Sequence, residues 1–537
     1  MAESFVQRAG RIVDAILQAD PVTAYYVGDH RIDDRLPDLS ADAVRAHTAM
    51  LREASHALAE IDDDELGAQD RVDHALLLQE VDGRVFALEE LREHEWNPLV
   101  HNPGPLLYGL LERPFAPPAE RLELLTARLS ALPDALATAR AVLGECPRVH
   151  VETAIGQFGG VAALIREQAP ALAAQVPGAR IDPVAEAAVA ALGEFTGWLT
   201  DRLDTSERDP RLGQRLWEAK LWHTLDTELS AAQVLDRAHH HLREIADEIC
   251  SAASEFLGVS APDDDAVRAA LSRLAAEHPS NDTVVAVATA ALQEAKDCVA
   301  EHDLATLIDD RLVVQEMPEF ARGVAVAYCD SVGPLETVDL PTFFAIAPTP
   351  ADWSDERTAS FYREYNNHMM RNLTVHEAMP GHYLQLAHSR RFRGSTPARG
   401  LCQSGTFAEG WAVYAEELMS EHGFGGLPVR LQRLKSHLRM TINAILDQGV
   451  HCDGMTEPEA MDLMLRRGFQ EEGEAAGKWR RAQLSSTQLS TYFVGYTEVS
   501  AIAATRPAGT SLRQWHDAML AHGSPSPRHL AALLAVS

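Results

Sequence analysis

Along most of this chain apolar residues return every three or four positions, the period of a helix with one buried face. In residues 118–143, PAERLELLTARLSALPDALATARAVL, the leucines Leu122, Leu125, Leu129, Leu132 and Leu136 follow a 3-4-3-4 spacing. That spacing gathers them into a single stripe on one helix, with Pro118 in the favoured first position. Similar alanine- and leucine-rich stripes occupy 41–61, 182–203, 229–257 and 284–300. Between them, SAPDDDAV (260–267) and EHPSND (277–282) have the composition of loops. No fixed-period repeat is evident. The pattern predicts a mainly α protein, a large multi-helical fold.

Between 310 and 347 the pattern changes. RLVVQEMP, GVAVAYCD and PTFFAIAP are short β-branched or aromatic runs bounded by Pro, Gly and Asp, which predicts a small β-sheet. Such a sheet either offers an edge on which an extended peptide can lie or serves as a structural hairpin. Two regions follow from this change. Residues 1–305 form a helical region expected to make one wall of a cleft, and 306–537 hold the strands and the candidate chemistry. The two are read as one continuous structural unit.

Directly after the strands comes TVHEAMPGHYLQ, residues 374–385. In the zinc-binding pattern H-E-x-x-H, two histidines four apart share a helix face, and the glutamate beside the first reaches a metal-bound water. Here His382 follows His376 by six residues. In a regular helix that step leaves the two imidazoles about 120° apart. Pro380, however, lacks an N–H, and its ring collides with the carbonyl four residues back, that of His376 itself. Gly381 then has the freedom to turn the chain, so an opened helix can bring His382 beside His376. The alternative is a helix that simply stops, with an unrelated histidine in the following turn.

A third ligand is expected on the next predicted helix, GTFAEGWAVYAEEL, residues 405–418. Catalytic zinc takes a carboxylate with two histidines in one common ligand set, and Glu409 is the choice here. Glu416, seven residues on, shares the same face and is better placed to orient a ligand. Glu377 is the candidate general base. Further along, RMTINAILDQGVHC supplies Arg439, Asp447, Gly449 and His451, and STYFVGYTEV supplies Tyr492 and Tyr496. Attack on a carbonyl needs donors for the developing oxyanion, a catalytic role open to His451 and Tyr496. Arg439 and Tyr492 are candidates for substrate binding, Arg439 by bidentate contact with a carboxylate. The triplet His239–His241 is excluded as a metal site because adjacent helical residues splay about 100° apart.

The composition narrows the partners. The 537 residues carry 47 Lys and Arg against 79 Asp and Glu, a formal net charge of -32. Nucleic acid and anionic membrane surfaces both call for basic patches, so neither is expected as a partner. No apolar run approaches a transmembrane span, and the charged N-terminus lacks the apolar stretch of a signal peptide, so a cytoplasmic location is expected. Six scattered cysteines form no C-x-x-C pair, which indicates neither a disulfide framework nor a thiolate metal site.

Taken together, HEAMPGHYLQ, EGWAVYAEEL, DQGVH and the N-terminal DPVTAYYVGDHRIDD resemble the bacterial family called domain of unknown function 885, which is similar to zinc metallopeptidases of the gluzincin kind. The resemblance runs from about residue 10 to about residue 520. It implies a metallopeptidase-like fold in which His376, His382 and Glu409 hold Zn2+. Asp447, Gly449 and His451 match the family's D-x-G-x-H. LSTYFVGY departs from the family's sequence before its glycine, which leaves the roles of Tyr492 and Tyr496, and the substrate, open. The expected function is zinc-dependent hydrolysis of an amide bond in short peptides or a peptide-like small molecule. Two alternatives stand beside it: a hydrolase of one small amide metabolite, and a non-catalytic helical binding protein with a structural metal or none.

Overall fold

The structure is a computed structural model and describes residues 3–317, 326–350 and 353–536. It is mainly α. The 118–143 stripe forms the helix Pro118–Val142, and its five leucines are all buried. Each is worth about 1.5–3 kcal/mol for leaving water. The other expected stripes become the helices Ala41–Ala59, Asp182–Arg202, Ala231–Leu257 and Val284–Glu301. Ser230 begins the third of these with a reciprocal cap to Gln233, and Gly258 ends it with a left-handed residue.

The chain divides into two compact units. The first comprises Met1–Pro210, Val332–Leu340 and Gly394–Cys402. Its core lies among the helices Pro118–Val142, Arg148–Ala173 and Asp182–Arg202, where Leu125, Phe158, Ile165 and Phe195 meet.

The second unit comprises Arg211–Ser331, Pro341–Arg393 and Gln403–Ser537. The helices Ala231–Leu257 and Val284–Glu301 therefore belong to the same unit as the later helices. The reason is packing: Leu242, Ile245 and Ile249 of Ala231–Leu257 share a core cluster with Leu434, Leu438, Ile442 and Ile445 of the helix Gly426–His451. That helix is buried along most of its length, polar residues included.

The expected sheet is present within the second unit. Strands β1 (Leu312–Glu316), β2 (Ala327–Asp330) and β3 (Thr342–Ile346) lie in the order β1-β3-β2. β3 is antiparallel to β2, its neighbour in sequence, and parallel to β1, so an antiparallel β2–β3 pair carries β1 on the other edge of β3. Of the run GVAVAYCD, residues 323–325 lie outside the described residues. Phe344 and Ile346 of β3 pack with Met370, Val375, Met379 and Tyr383, which fixes the chain around His376 from behind.

Among the described residues no helix is long and apolar enough to cross a membrane, and no disulfide forms. His239 and His240 are exposed, while His241 lies against the rings of Phe493 and Tyr496.

Candidate metal centre

The helix Asn367–Glu377 starts with an Asn366 cap and ends at the residue after His376. In a continuing helix the ring of Pro380 would meet the carbonyl of His376. Instead the chain folds back. The Gly381 amide donates to the carbonyl of Val375 at 3.0 Å, and a new helix, His382–Ser389, begins at once. Gly381 has no substitute here, because a Cβ on it would lie 1.9 Å from the carbonyl oxygen of His376. The indole of Trp411 donates to the carbonyl of Pro380 at 2.8 Å and pins the turn. The break stands the two imidazoles edge to face, with ring centres 4.8 Å apart.

Glu409 arrives on the helix Gly405–Glu421, which Ser404 caps. Its neighbour Gly410 touches Gly495 of the helix Gln488–Ala504 so closely that a Cβ would lie 2.3 Å from the Gly495 backbone. Glu409 Oε2 lies 3.3 Å from His376 Nε2 and 3.5 Å from His382 Nε2. One ligand atom from each of the three residues falls within 4.8 Å of the other two.

The donor set fits zinc. Ligands about 2.0–2.1 Å from a tetrahedral zinc stand roughly 3.3–3.4 Å from one another, close to the 3.3 and 3.5 Å that separate Glu409 Oε2 from the two imidazoles. That oxygen is also buried without a hydrogen-bond partner among the described residues, as an atom placed for a cation would be.

A second carboxylate orients the first histidine. His376 Nδ1 meets Glu416 Oε1 at 2.7 Å, and Asn372 Nδ2 donates to Glu416 Oε2 at 2.6 Å. With its proton on Nδ1, His376 turns the Nε2 lone pair toward Glu409 and His382. Glu409 thus faces Nε2 of the ring and Glu416 faces Nδ1.

Electrostatics agree with a seat for positive charge. Burial disfavours a charged His376, but Glu409 and Glu416 outweigh it and push the imidazole well above the ordinary histidine range. Burial likewise opposes the charge on Glu409, and the two imidazoles overcome it and hold the carboxyl far below its usual range. Glu377 behaves differently. Burial raises its pKa, although both imidazoles and the backbone N–H of Cys329 on β2 oppose the shift.

The other expected site residues divide. The hydroxyl oxygen of half-buried Tyr492 accepts from Arg481 Nη2 at 3.3 Å and Gln488 Nε2 at 3.2 Å, which leaves its own proton to donate. Burial raises its pKa first and the negative charge of Glu409 raises it further.

Both ring nitrogens of His451, expected as an oxyanion donor, are in use. Nε2–H meets the carbonyls of Ala482 and Ser485 at 2.9 and 3.0 Å, and Nδ1 accepts from the Leu212 amide at 3.3 Å. Tyr496, the other expected donor, gives its proton to Glu417 at 2.8 Å. Arg439 is paired with Glu364, which also takes Lys435 at 2.7 Å, so its charge is spent within the fold. Asp447 accepts four hydrogen bonds, from Trp217 Nε1, the Thr487 and Ser490 amides and the Ser490 hydroxyl. It thereby caps the helix that carries Tyr492.

Sequence reasoning did not single out Asn372, Arg481 or Gln488. Only Gln488 had a legible signal, its i,i+4 spacing from Tyr492.

The chain belongs to the family described as bacterial protein of unknown function, DUF885, whose model matches residues 21–534. Among solved structures it is similar to a protein of unknown function from Shewanella oneidensis, provisionally named a lipoprotein. The two share 26% identity over 99% of this chain and 100% of that chain, with a TM-score of 0.81. A protein from Colwellia psychrerythraea, also provisionally named a lipoprotein, has the same fold at 15% identity over 99% of this chain and 98% of that chain, with a TM-score of 0.80. An M32 carboxypeptidase from Deinococcus radiodurans R1 overlaps at a TM-score of 0.30 and 12% identity over 92% of this chain and 90% of that chain, too little to carry an argument. No curated protein matches the chain.

Proposed function

We propose that this member of a bacterial family of unknown function is a zinc-dependent hydrolase that cleaves an amide bond in short peptides or a peptide-like small molecule. The observation that carries the reading is Glu409 Oε2, buried without a hydrogen-bond partner among the described residues and 3.3 and 3.5 Å from two imidazole nitrogens, with Glu377 next to the first of them in sequence.

His376, His382 and Glu409 would hold the ion. Bound there, zinc supplies Lewis acidity and lowers the pKa of a coordinated water to about 7. Glu377, buried and with a raised pKa, takes a proton from the attacking water and passes it to the leaving nitrogen. Glu416 and Asn372 keep His376 in the tautomer that points Nε2 inward. Tyr492, its oxygen already accepting two bonds, donates its proton toward the carbonyl oxygen as negative charge grows there.

The test is metal analysis of protein purified without chelator, followed by a panel of short peptides and acylated amino-acid amides. About one zinc per chain is expected, with hydrolysis lost to a chelator and restored by zinc. Cleavage of many peptides marks a peptidase, and cleavage of one amide alone marks a pathway enzyme. Protein without stoichiometric metal, or metal-loaded protein inert toward the whole panel, overturns the reading.

A further inference from the structure

Three cations stand on the helices beside Tyr492, and their circumstances differ. Arg439 is neutralised by Glu364. Arg481 is not: among the described residues no carboxylate pairs with it. Its Nη2 donates only to neutral oxygens, Gln488 Oε1 at 2.8 Å and Tyr492 Oη at 3.3 Å. Lys478, one turn earlier on the helix Glu472–Leu484, is only 8 % exposed, yet it has neither an ion pair nor a hydrogen-bond partner among the described residues. Burial pulls its pKa down to about 7, Glu474 opposes the shift, and Arg481 and Arg439 add to it. Glu474 gives its carboxylate to the Tyr365 hydroxyl at 3.0 Å and forms no ion pair with Lys478.

A buried ammonium without an ion pair is costly to keep charged unless an anion arrives, while Glu409 and Glu474 help keep the Arg481 guanidinium charged with its fork free of any paired carboxylate among the described residues. The fork of Arg481 suits a carboxylate, which it can take bidentately.

The position says which carboxylate. Arg481 hydrogen-bonds the same hydroxyl that the proposed reaction directs at the scissile carbonyl oxygen. A carboxylate held there lies about one residue, ~3.8 Å of chain, from the bond being cut. We infer that Arg481, assisted by Lys478, binds the free C-terminal carboxylate of the substrate, so that the enzyme releases the last residue of short peptides or of N-acyl amino acids.

This inference rests on the hydrolase reading, and one pair of probes separates the two. Benzoyl-glycyl-phenylalanine and its C-terminal amide are titrated calorimetrically into zinc-loaded Glu377→Gln protein, and both are offered to the parent for hydrolysis. The acid is expected to bind roughly 10- to 100-fold tighter than the amide, the worth of one charge-assisted contact. Adding Arg481→Gln should reduce that preference to about threefold or less, Arg481→Lys should keep part of it, and Lys478→Met should weaken it about tenfold, all with unchanged zinc content.

Equal binding of acid and amide, absence of binding by the acid, or a full preference surviving Arg481→Gln overturns the pocket. The acid–amide comparison in the Arg481-bearing background does not depend on whether the Arg481 variants fold. If the parent cuts the amide as fast as the acid, hydrolysis stands and the carboxylate pocket falls. If the acid binds in an Arg481-dependent way without being cut, the pocket stands and the hydrolase reading falls.

Discussion

Gly381 and His376 meet backbone to backbone, so closely that a Cβ on the glycine would stand 1.9 Å from the histidine's carbonyl oxygen. This contact folds a six-residue spacing back into a common ligand cluster. It also separates two demands on the same residues, helix propensity and metal geometry.

The double substitution Pro380→Ala, Gly381→Ala raises intrinsic helix propensity by several kcal/mol, so an ordinary helix would gain from it. At this turn the added Cβ displaces backbone instead. Zinc affinity should fall at least tenfold while the apo protein stays folded, as read by zinc titration and thermal unfolding of variant and parent side by side. Zinc binding as tight as the parent's would rule out the opened helix as the device that delivers His382.

Glu416 touches the proposed metal site only through the ring of His376. Glu416→Ala should lower zinc affinity about 10- to 100-fold, the range for losing a carboxylate behind a ligand histidine, while the three ligands remain. Competition with a chromogenic chelator measures it. An unchanged affinity would mean that Nδ1 needs no partner to hold the tautomer.

Glu377→Gln keeps the size of the side chain and removes the base. The variant should retain parental zinc content and lose at least about 100-fold in turnover, the contribution of a positioned proton acceptor. Turnover equal to the parent's would assign the base elsewhere.

The D-x-G-x-H segment is predicted to be structural. Asp447 is fully buried and caps the Gln488–Ala504 helix, so Asp447→Ala leaves several buried donors unsatisfied. A loss of about 2–4 kcal/mol is expected, with a lower urea midpoint for the second unit. A variant of parental stability that lost only activity would return this segment to the catalytic machinery.

In the first unit, His30 bridges Asp33 and Glu336, at 2.7 Å each, and stacks on Phe115. Burial opposes its charge, but the two carboxylates prevail and push its pKa up to about 9. A pKa raised on folding stabilises the folded state fully below the unfolded value, about 6.5, and the effect drains away as pH rises through about 9. Parent protein should therefore lose, between pH 6.5 and 9.5, on the order of 2 kcal/mol that His30→Gln never had. Urea unfolding of both proteins at the two pH values checks this, and parallel curves would contradict the bridge.

Much of this protein is a local matter and was legible in its sequence. The spacing of Leu122 to Leu136 dictates a helix and its buried face, because side-chain direction repeats every 3.6 residues whatever the rest of the chain does. Pro380 and Gly381 announce a break in the same way, since a missing N–H and a missing Cβ act on neighbours within one turn. His376, His382 and Glu409 could be named from spacing for that reason. What the sequence could not show is which polar groups have their capacity taken up by distant partners. His451 is used up by Leu212, Ala482 and Ser485, Arg439 by Glu364, and Tyr496 by Glu417. Arg481 is the converse, a cation that forms no ion pair among the described residues. Whether a hydrogen-bonding or charged side chain is free depends on what lies within about 3 Å of it, and only the packing of helices far apart in the chain decides that.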